Sequence, residues 1–237
     1  RDVIVVVDPS HYEWVGHKLA SGNGLTELEK KTLAQKAFQH VAHYDTAISS
    51  WLRDSSVLSA KVVTTGYEKL SDLRYGENPH QEAAVYKGVL SDGGVVEAKQ
   101  LHGLPMSYTN FLDADAAWTT VSDFGSQACV VVKHTNPCGI SLNDDQVMAY
   151  ENAFSGDTVS AYGGIVGFNR EVSRDTANAM KGVLFDIIIA PSFSQEALEI
   201  FTHRKRTRIL QATPAKGPIN DVMFKTISGG ALIQTLD

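Results

Sequence analysis

Cysteine is scarce in this chain: Cys129 and Cys138 are the only two in 237 residues. Two thiols make no disulfide framework, and their spacing is not that of a zinc site. Free thiols fit a reducing compartment, so the expected location is the cytoplasm. No apolar run is long enough to span a bilayer, and no signal-peptide pattern is seen, so no membrane partner is expected. Long basic runs are missing too. Net charge is −6, and the short cluster His203-Arg204-Lys205-Arg206 reads as a solvated helix end rather than a nucleic-acid footprint. Neither an internal repeat nor a low-complexity tract is present. At 43% hydrophobic and 20% charged residues, the composition is that of a globular protein rather than a disordered one.

What is there is strand-and-helix alternation. Val3-Ile4-Val5-Val6-Val7 reads as an apolar strand before a turn at Asp8-Pro9-Ser10 and a short helix. A lone strand cannot bury both faces, so the expectation is a chain that starts inside a domain; Ser228–Gln234 gives a similar strand near the other end. Thr26 and Glu29 form a capping box for a helix running to about Leu52, with Leu33, Ala37, Val41, Tyr44, Ile48 and Trp51 as one apolar stripe. Residues 53 to 65 read as a connection. Strands at Ala83–Tyr86, Val130–Val132, Ile165–Phe168, Phe185–Ala190 and Arg208–Leu210 alternate with helices at about 110–124, 144–154, 173–182 and 194–202. Leu101–Pro105 reads as irregular. This alternation predicts an α/β fold with a largely parallel or mixed sheet.

The residues that invite chemistry sit at the end of the run Val130-Val131-Val132-Lys133-His134-Thr135-Asn136-Pro137-Cys138-Gly139. A buried strand stops at an ammonium beside an imidazole, and a Pro-Gly turn is expected after them. The lysine charge disfavours a second cation, which favours a neutral imidazole able to take up a proton. Arg74-Tyr75-Gly76-Glu77-Asn78-Pro79-His80-Gln81 packs a guanidinium, a phenol and an imidazole into one turn-rich stretch, either a phosphate grip or a polar surface loop. The loop Asp157–Gly164, with Ser160 and paired glycines, suits anion approach or a tight turn before a strand. Asp186, in an apolar strand, needs partners, whether structural or substrate. Cys138 lacks the elbow and oxyanion motif of a nucleophile, and His40 and His43 lack a metal motif.

Four segments occur in one order: Arg74–Gln81, Lys133–Gly139, Ser160-Ala161-Tyr162-Gly163-Gly164 and Ile188-Ile189-Ala190-Pro191. In this the chain closely resembles the bifunctional AICAR transformylase/IMP cyclohydrolase family of purine biosynthesis, nearly end to end. The resemblance implies that residues 1–52 are the C-terminal piece of an α/β cyclohydrolase domain, including Ala42–Ile48. It implies that 53–65 are a linker, and that 66–237 are the first half of a transformylase domain. That half is expected to be a three-layer α/β/α cytidine-deaminase-like sandwich without the deaminase zinc site. H-x-E occurs at His11-Tyr12-Glu13 and His80-Gln81-Glu82, but the P-C-x-x-C that completes the deaminase zinc signature is not found.

By the same resemblance, Lys133 and His134 are catalytic, and Arg74, Tyr75, Asn110, Gly163 and Asp186 bind the AICAR nucleotide, the Asp186 match being the looser one. The cosubstrate implied is 10-formyltetrahydrofolate, with no metal, and the partner implied is a second copy in a homodimer with shared sites. The cyclohydrolase site and much of the folate site would lie outside this segment, so the segment alone is expected to be inactive. Two rival readings remain: a non-catalytic nucleotide- or phosphate-binding module using Arg74 and the Gly163 loop, and a thiol-dependent amidotransferase using Cys138.

Overall fold

The computed structural model describes residues 3–54, 56–217 and 222–236. Arg1, Asp2, Ser55, residues 218–221 and Asp237, which the expected segments 1–52, 53–65 and 66–237 include, lie outside the described residues. Helices α1 (Tyr12–Ala20) and α2 (Glu27–Trp51) come first. They are followed by β1 (Tyr67–Leu73), β2 (Ala83–Gly88), β3 (Lys99–His102), α3 (Tyr108–Ser122), β4 (Ala128–Lys133) and β5 (Asn136–Leu142). Then come α4 (Gln146–Ser155), β6 (Ile165–Phe168), α5 (Arg174–Ala179), β7 (Ile187–Ala190), α6 (Gln195–Thr202), β8 (Arg208–Gln211), β9 (Val222–Ile227) and β10 (Gly230–Thr235).

The chain divides into two units. One holds the described residues of Arg1–Glu68, Gly88–Leu90 and Asp221–Asp237; the other holds those of Lys69–Lys87 and Ser91–Asn220. In the first, Thr26 caps α2 through the expected box with Glu29: the Thr26 backbone N–H donates to the Glu29 carboxylate (2.8 Å) and the Glu29 N–H to Thr26 Oγ1 (3.2 Å). The expected first strand is not one. Residues 3–8 have no ladder partner among the described residues, and only the alternation survives. Ile4 and Val6 pack on Val15, Leu25 and Leu33, whereas Val3 and Val5 are exposed. The apolar stripe of α2 likewise differs from expectation. Leu33 is buried, but Val41, Tyr44, Ile48 and Trp51 are exposed, because that small cluster reaches only the start of the helix. β9 and β10 form an antiparallel hairpin, so Ser228 and Gly229, expected within a strand, make its turn; Gly229 takes φ 82°.

The second unit is built on a six-stranded mixed sheet in the order β3-β8-β7-β6-β4-β5. β6, β7 and β8 are parallel; β4 runs antiparallel to β6 and to β5, and β3 antiparallel to β8. Lys99–His102, expected in part to be irregular, is thus an edge strand that borrows its hydrogen bonds from β8. Strand alternation sorts the core into two layers. Cys129, Val131, Val166, Ile188 and Ile209 face a cluster that includes Tyr150, Ala153, Ala177 and Phe201 of α4–α6. Val130, Val132, Ile165, Ile187, Ile189 and Leu210 face Ala114, Ala117, Trp118 and Val121 of α3. Helices therefore cover both faces, which is why the central strands read as unbroken apolar runs. Asp145, Ser173 and Ser194 cap α4, α5 and α6.

The expected Pro-Gly turn is instead strand β5. Pro137 is tolerated because β5 is the sheet edge and the ladder shifts there: Val131 pairs with Gly139 and Val132 with Pro137, leaving Cys138 as the extra residue of a bulge. Gly139 is fixed by packing, since a Cβ there would lie 2.1 Å from the Ala153 carbonyl oxygen of α4.

Candidate functional site

The turn that joins β4 to β5 is two residues long. Lys133 pairs with Asn136, leaving His134 (φ 55°) and Thr135 (φ 63°) between them. Both φ values are positive, as the mirror-image turns that suit the twist of a hairpin require, but such turns normally use Asn-Gly. For a β-branched threonine the left-handed region costs on the order of 1–2 kcal/mol. The peptide between these residues is held at both ends. The Thr135 N–H donates to Oδ1 of the buried Asp113 (2.8 Å), while the His134 carbonyl accepts from Asn136 Nδ2 (2.9 Å) and Thr135 Oγ1 (2.7 Å). A hydrogen bond to a carboxylate, about 1.5–3 kcal/mol, is of the size needed to offset the strain. Over-determined strain of this kind concentrates at functional sites.

Sheet topology decides what faces this turn. Because β4 runs against β6, its carboxyl end meets the amino ends of β6, β7 and β8, where Gly163, Asp186 and Arg208 lie. Ligands of open α/β sheets usually sit at carboxyl ends, and of these four strands only β4 obeys that rule here. The edge is laced together. Lys133 Nζ donates to the Tyr162 carbonyl (2.7 Å), the Gly163 N–H to the Leu184 carbonyl (2.9 Å), the Asp186 N–H to the Gly164 carbonyl (2.9 Å) and the Arg208 N–H to the Asp186 carbonyl (2.9 Å). Gly163 at φ 73° supplies the left-handed turn.

Lys133 and His134 line one cavity of about 400 Å³ together with Asn136, Pro137, Cys138, Asp157 and Ser160. Hydrogen bonds from Ser160 hold the Asp157 carboxyl below the usual carboxylate range, and Lys133 adds to this. The Cys138 thiol moves the other way. Burial pushes it up, the Asp157 charge adds to that, and Lys133 opposes it only in part. Less of a thiol so placed is ionised at neutral pH, which weighs against the amidotransferase reading.

Of the remaining candidates, two share a neighbour. Tyr75 and Asp186 both act on the Arg208 guanidinium, whose pKa is lowered by burial and raised back by those two neighbours. Arg208 Nε and Nη2 donate to the Pro105 carbonyl (3.2 and 3.0 Å). Arg208 was missed in the sequence because it reads as the first residue of a strand; a cation directly before an apolar run was the available signal. Arg74 is exposed, its guanidinium 5.3 Å from the Tyr75 ring centroid, and it is not among the residues lining the Lys133–His134 cavity. The loop after it is closed by Gln81, whose carbonyl accepts from the Gly76 N–H (2.8 Å) and whose Oε1 accepts from the Asn78 N–H (2.7 Å). Asn110 is buried in the first turn of α3, where its Oδ1 accepts from the Ser107 N–H (3.1 Å) as part of a capping box. Asp113, also unforeseen, lies three residues further along that helix. Among the described residues no group of three or more His, Cys, Asp or Glu could hold a metal ion, and no helix is long and apolar enough to cross a membrane.

Comparison with known proteins places this geometry in context. The family model described as the AICARFT/IMPCHase bienzyme matches residues 1–237. The chain is 42% identical to the bifunctional purine biosynthesis protein purH of Dictyostelium discoideum, covering 99% of this chain and 49% of that protein. It is 41% identical to PurH of Petrotoga mobilis and 42% identical to PurH of Bacillus subtilis, in each case over 100% of this chain and 47% of the relative. The chain thus spans about half the length of these curated relatives.

Proposed function

The chain belongs to the AICARFT/IMPCHase bienzyme family, and from that premise we propose that its second unit carries half of a formyl-transfer site for AICAR. The observation that carries this reading is the strained His134-Thr135 turn, which sets an imidazole and an ammonium on one cavity at the end of a buried strand. In this proposal, residues 66–237 are the first half of a cytidine-deaminase-like transformylase sandwich. Residues 1–52 are the end of a cyclohydrolase domain, and 53–65 connect the two. Helices on both sheet faces support the three-layer part of that reading.

The reaction proposed is acyl transfer. The AICAR 5-amino nitrogen is a poor nucleophile because its lone pair is delocalised into the imidazole ring of the nucleotide. It attacks the formyl carbon of 10-formyltetrahydrofolate, and a nitrogen–carbon bond forms. His134 takes the amine proton as that bond forms, which avoids a high-energy ammonium. Lys133, oriented by the Tyr162 carbonyl, offers positive charge to the oxyanion of the tetrahedral intermediate. Collapse breaks the bond to the folate nitrogen, which receives the proton from His134. Arg74 and Tyr75 bind the nucleotide, with Asn110, Gly163 and Asp186 as further contacts. In the intact cytoplasmic protein, a homodimer with shared sites, ring closure to IMP follows in the other domain.

The test is turnover by the full-length protein, supplied with AICAR and 10-formyltetrahydrofolate and followed by the release of tetrahydrofolate. Multiple turnovers are expected. Saturable AICAR binding without turnover would instead make the chain part of a nucleotide-binding module.

A further inference from the structure

The 134–135 peptide is clamped by groups that the transfer chemistry does not use, and this assigns a role to Asp113. We propose that Asp113 is a positioning residue, holding the turn in its left-handed form so that the His134 imidazole stays aimed into the cavity. The inference rests on the reading of His134 as the proton acceptor. In a two-residue hairpin turn the N–H of the second turn residue has no ladder partner, and Asp113 Oδ1 occupies that place at 2.8 Å. The other end of the same peptide is held by Asn136 and Thr135. Both flanking residues have an intrinsic preference for negative φ, so losing the clamp lets them relax, and relaxation swings the Cα–Cβ direction of His134. Asp113 is 9% exposed and belongs to α3, which packs on β4, β6 and β7. The turn is thereby referenced to the rigid part of the fold rather than to its own hairpin. Asn110 sits on the first turn of the same helix, so one element sets both the imidazole and a candidate nucleotide contact.

The experiment uses the full-length protein. Asp113→Ala is expected to lower kcat for formyl transfer by about 100-fold, the cost typical of a misplaced catalytic group, with KM for AICAR changed by less than about twofold. Asp113→Asn keeps an acceptor oxygen and is expected to retain most of kcat. Thr135→Gly in the Asp113→Ala background is expected to restore at least about tenfold, because glycine adopts positive φ without strain. A residue that only stabilises the fold gives no such rescue. Wild-type kcat in Asp113→Ala, or a double variant no better than the single one, overturns the proposal. Amide hydrogen exchange at Thr135 reads the clamp without any activity: protection lost in Asp113→Ala and kept in Asp113→Asn supports it, and unchanged protection refutes it. Failure of the wild-type protein to transfer formyl, with Thr135 protection still dependent on Asp113, would instead remove the catalytic reading of His134.

Discussion

Gly139→Ala offers a direct test of how the hairpin that carries the candidate site is seated. A methyl group at this position would lie 2.1 Å from the Ala153 carbonyl oxygen, where ordinary contact begins at 3.4 Å. The obstacle is helix backbone, which cannot rotate away as a side chain can. Gly156 tightens the same contact, since a Cβ there would meet the Cys138 carbonyl at 2.7 Å. Gly139 is not among the residues with positive φ, so conformational freedom is not what holds glycine there, and alanine would otherwise stabilise by about 0.4–1 kcal/mol through the unfolded state. Overpacking a close contact costs about 1–3 kcal/mol, and an immobile oxygen places this case near the upper end. With a urea dependence of about 2 kcal/mol per molar, the midpoint falls by about 1.5 M. Gly125→Ala, with open space around it, is the control and is expected to leave the midpoint within about 0.5 kcal/mol equivalent. The assay is equilibrium urea unfolding of the 237-residue chain by circular dichroism. An unchanged or raised midpoint for Gly139→Ala refutes the packing of α4 against β5 described here.

Two further predictions follow from the electrostatics. Alkylation of Cys138 is expected to be slow at neutral pH and to accelerate only above the ordinary thiol range, because burial and Asp157 disfavour the thiolate; rapid labelling at pH 7 contradicts this. Glu29, pulled down to about 2 by hydrogen bonds from Lys18 and Thr26, has a folded pKa below its ordinary 4.5. Its contribution at the start of α2 is therefore complete above pH 4.5 and is lost as pH falls towards 2. Glu29→Gln is expected to flatten the acid side of the stability profile in that window, and an identical acid profile contradicts it.

Much of the second unit was legible because its strands are buried on both faces. Ile165–Phe168 and Ile187–Ala190 announce themselves as apolar runs, and Asp145, Ser173 and Ser194 mark the helices that follow. The edge and ribbon strands were not legible. β1 exposes nearly every residue, β3 mixes polar and apolar residues, and β5 opens with Asn-Pro, so each depends on a partner strand that local sequence does not reveal. The Lys-His pair stood out in sequence, but the way it is held did not. His134-Thr135 is not the Asn-Gly pair that marks a mirror-image turn in sequence; the peptide between them is held by Asn136, by the Thr135 hydroxyl and by Asp113, twenty-two positions away from Thr135. Arg208 was hidden for a related reason, since Asp186 and Tyr75, whose charges act on it, are distant in sequence, and Asp186 comes beside it only through the pairing of β7 with β8.

His134→Asn in the full-length protein is the most direct test of the account. Asparagine tolerates the left-handed conformation, so the turn is kept while the imidazole is removed. The account predicts that formyl transfer to AICAR falls by about 10²–10⁴-fold, the range for loss of a general base, with IMP cyclohydrolase activity unchanged. Transfer at the wild-type rate in that variant would contradict it.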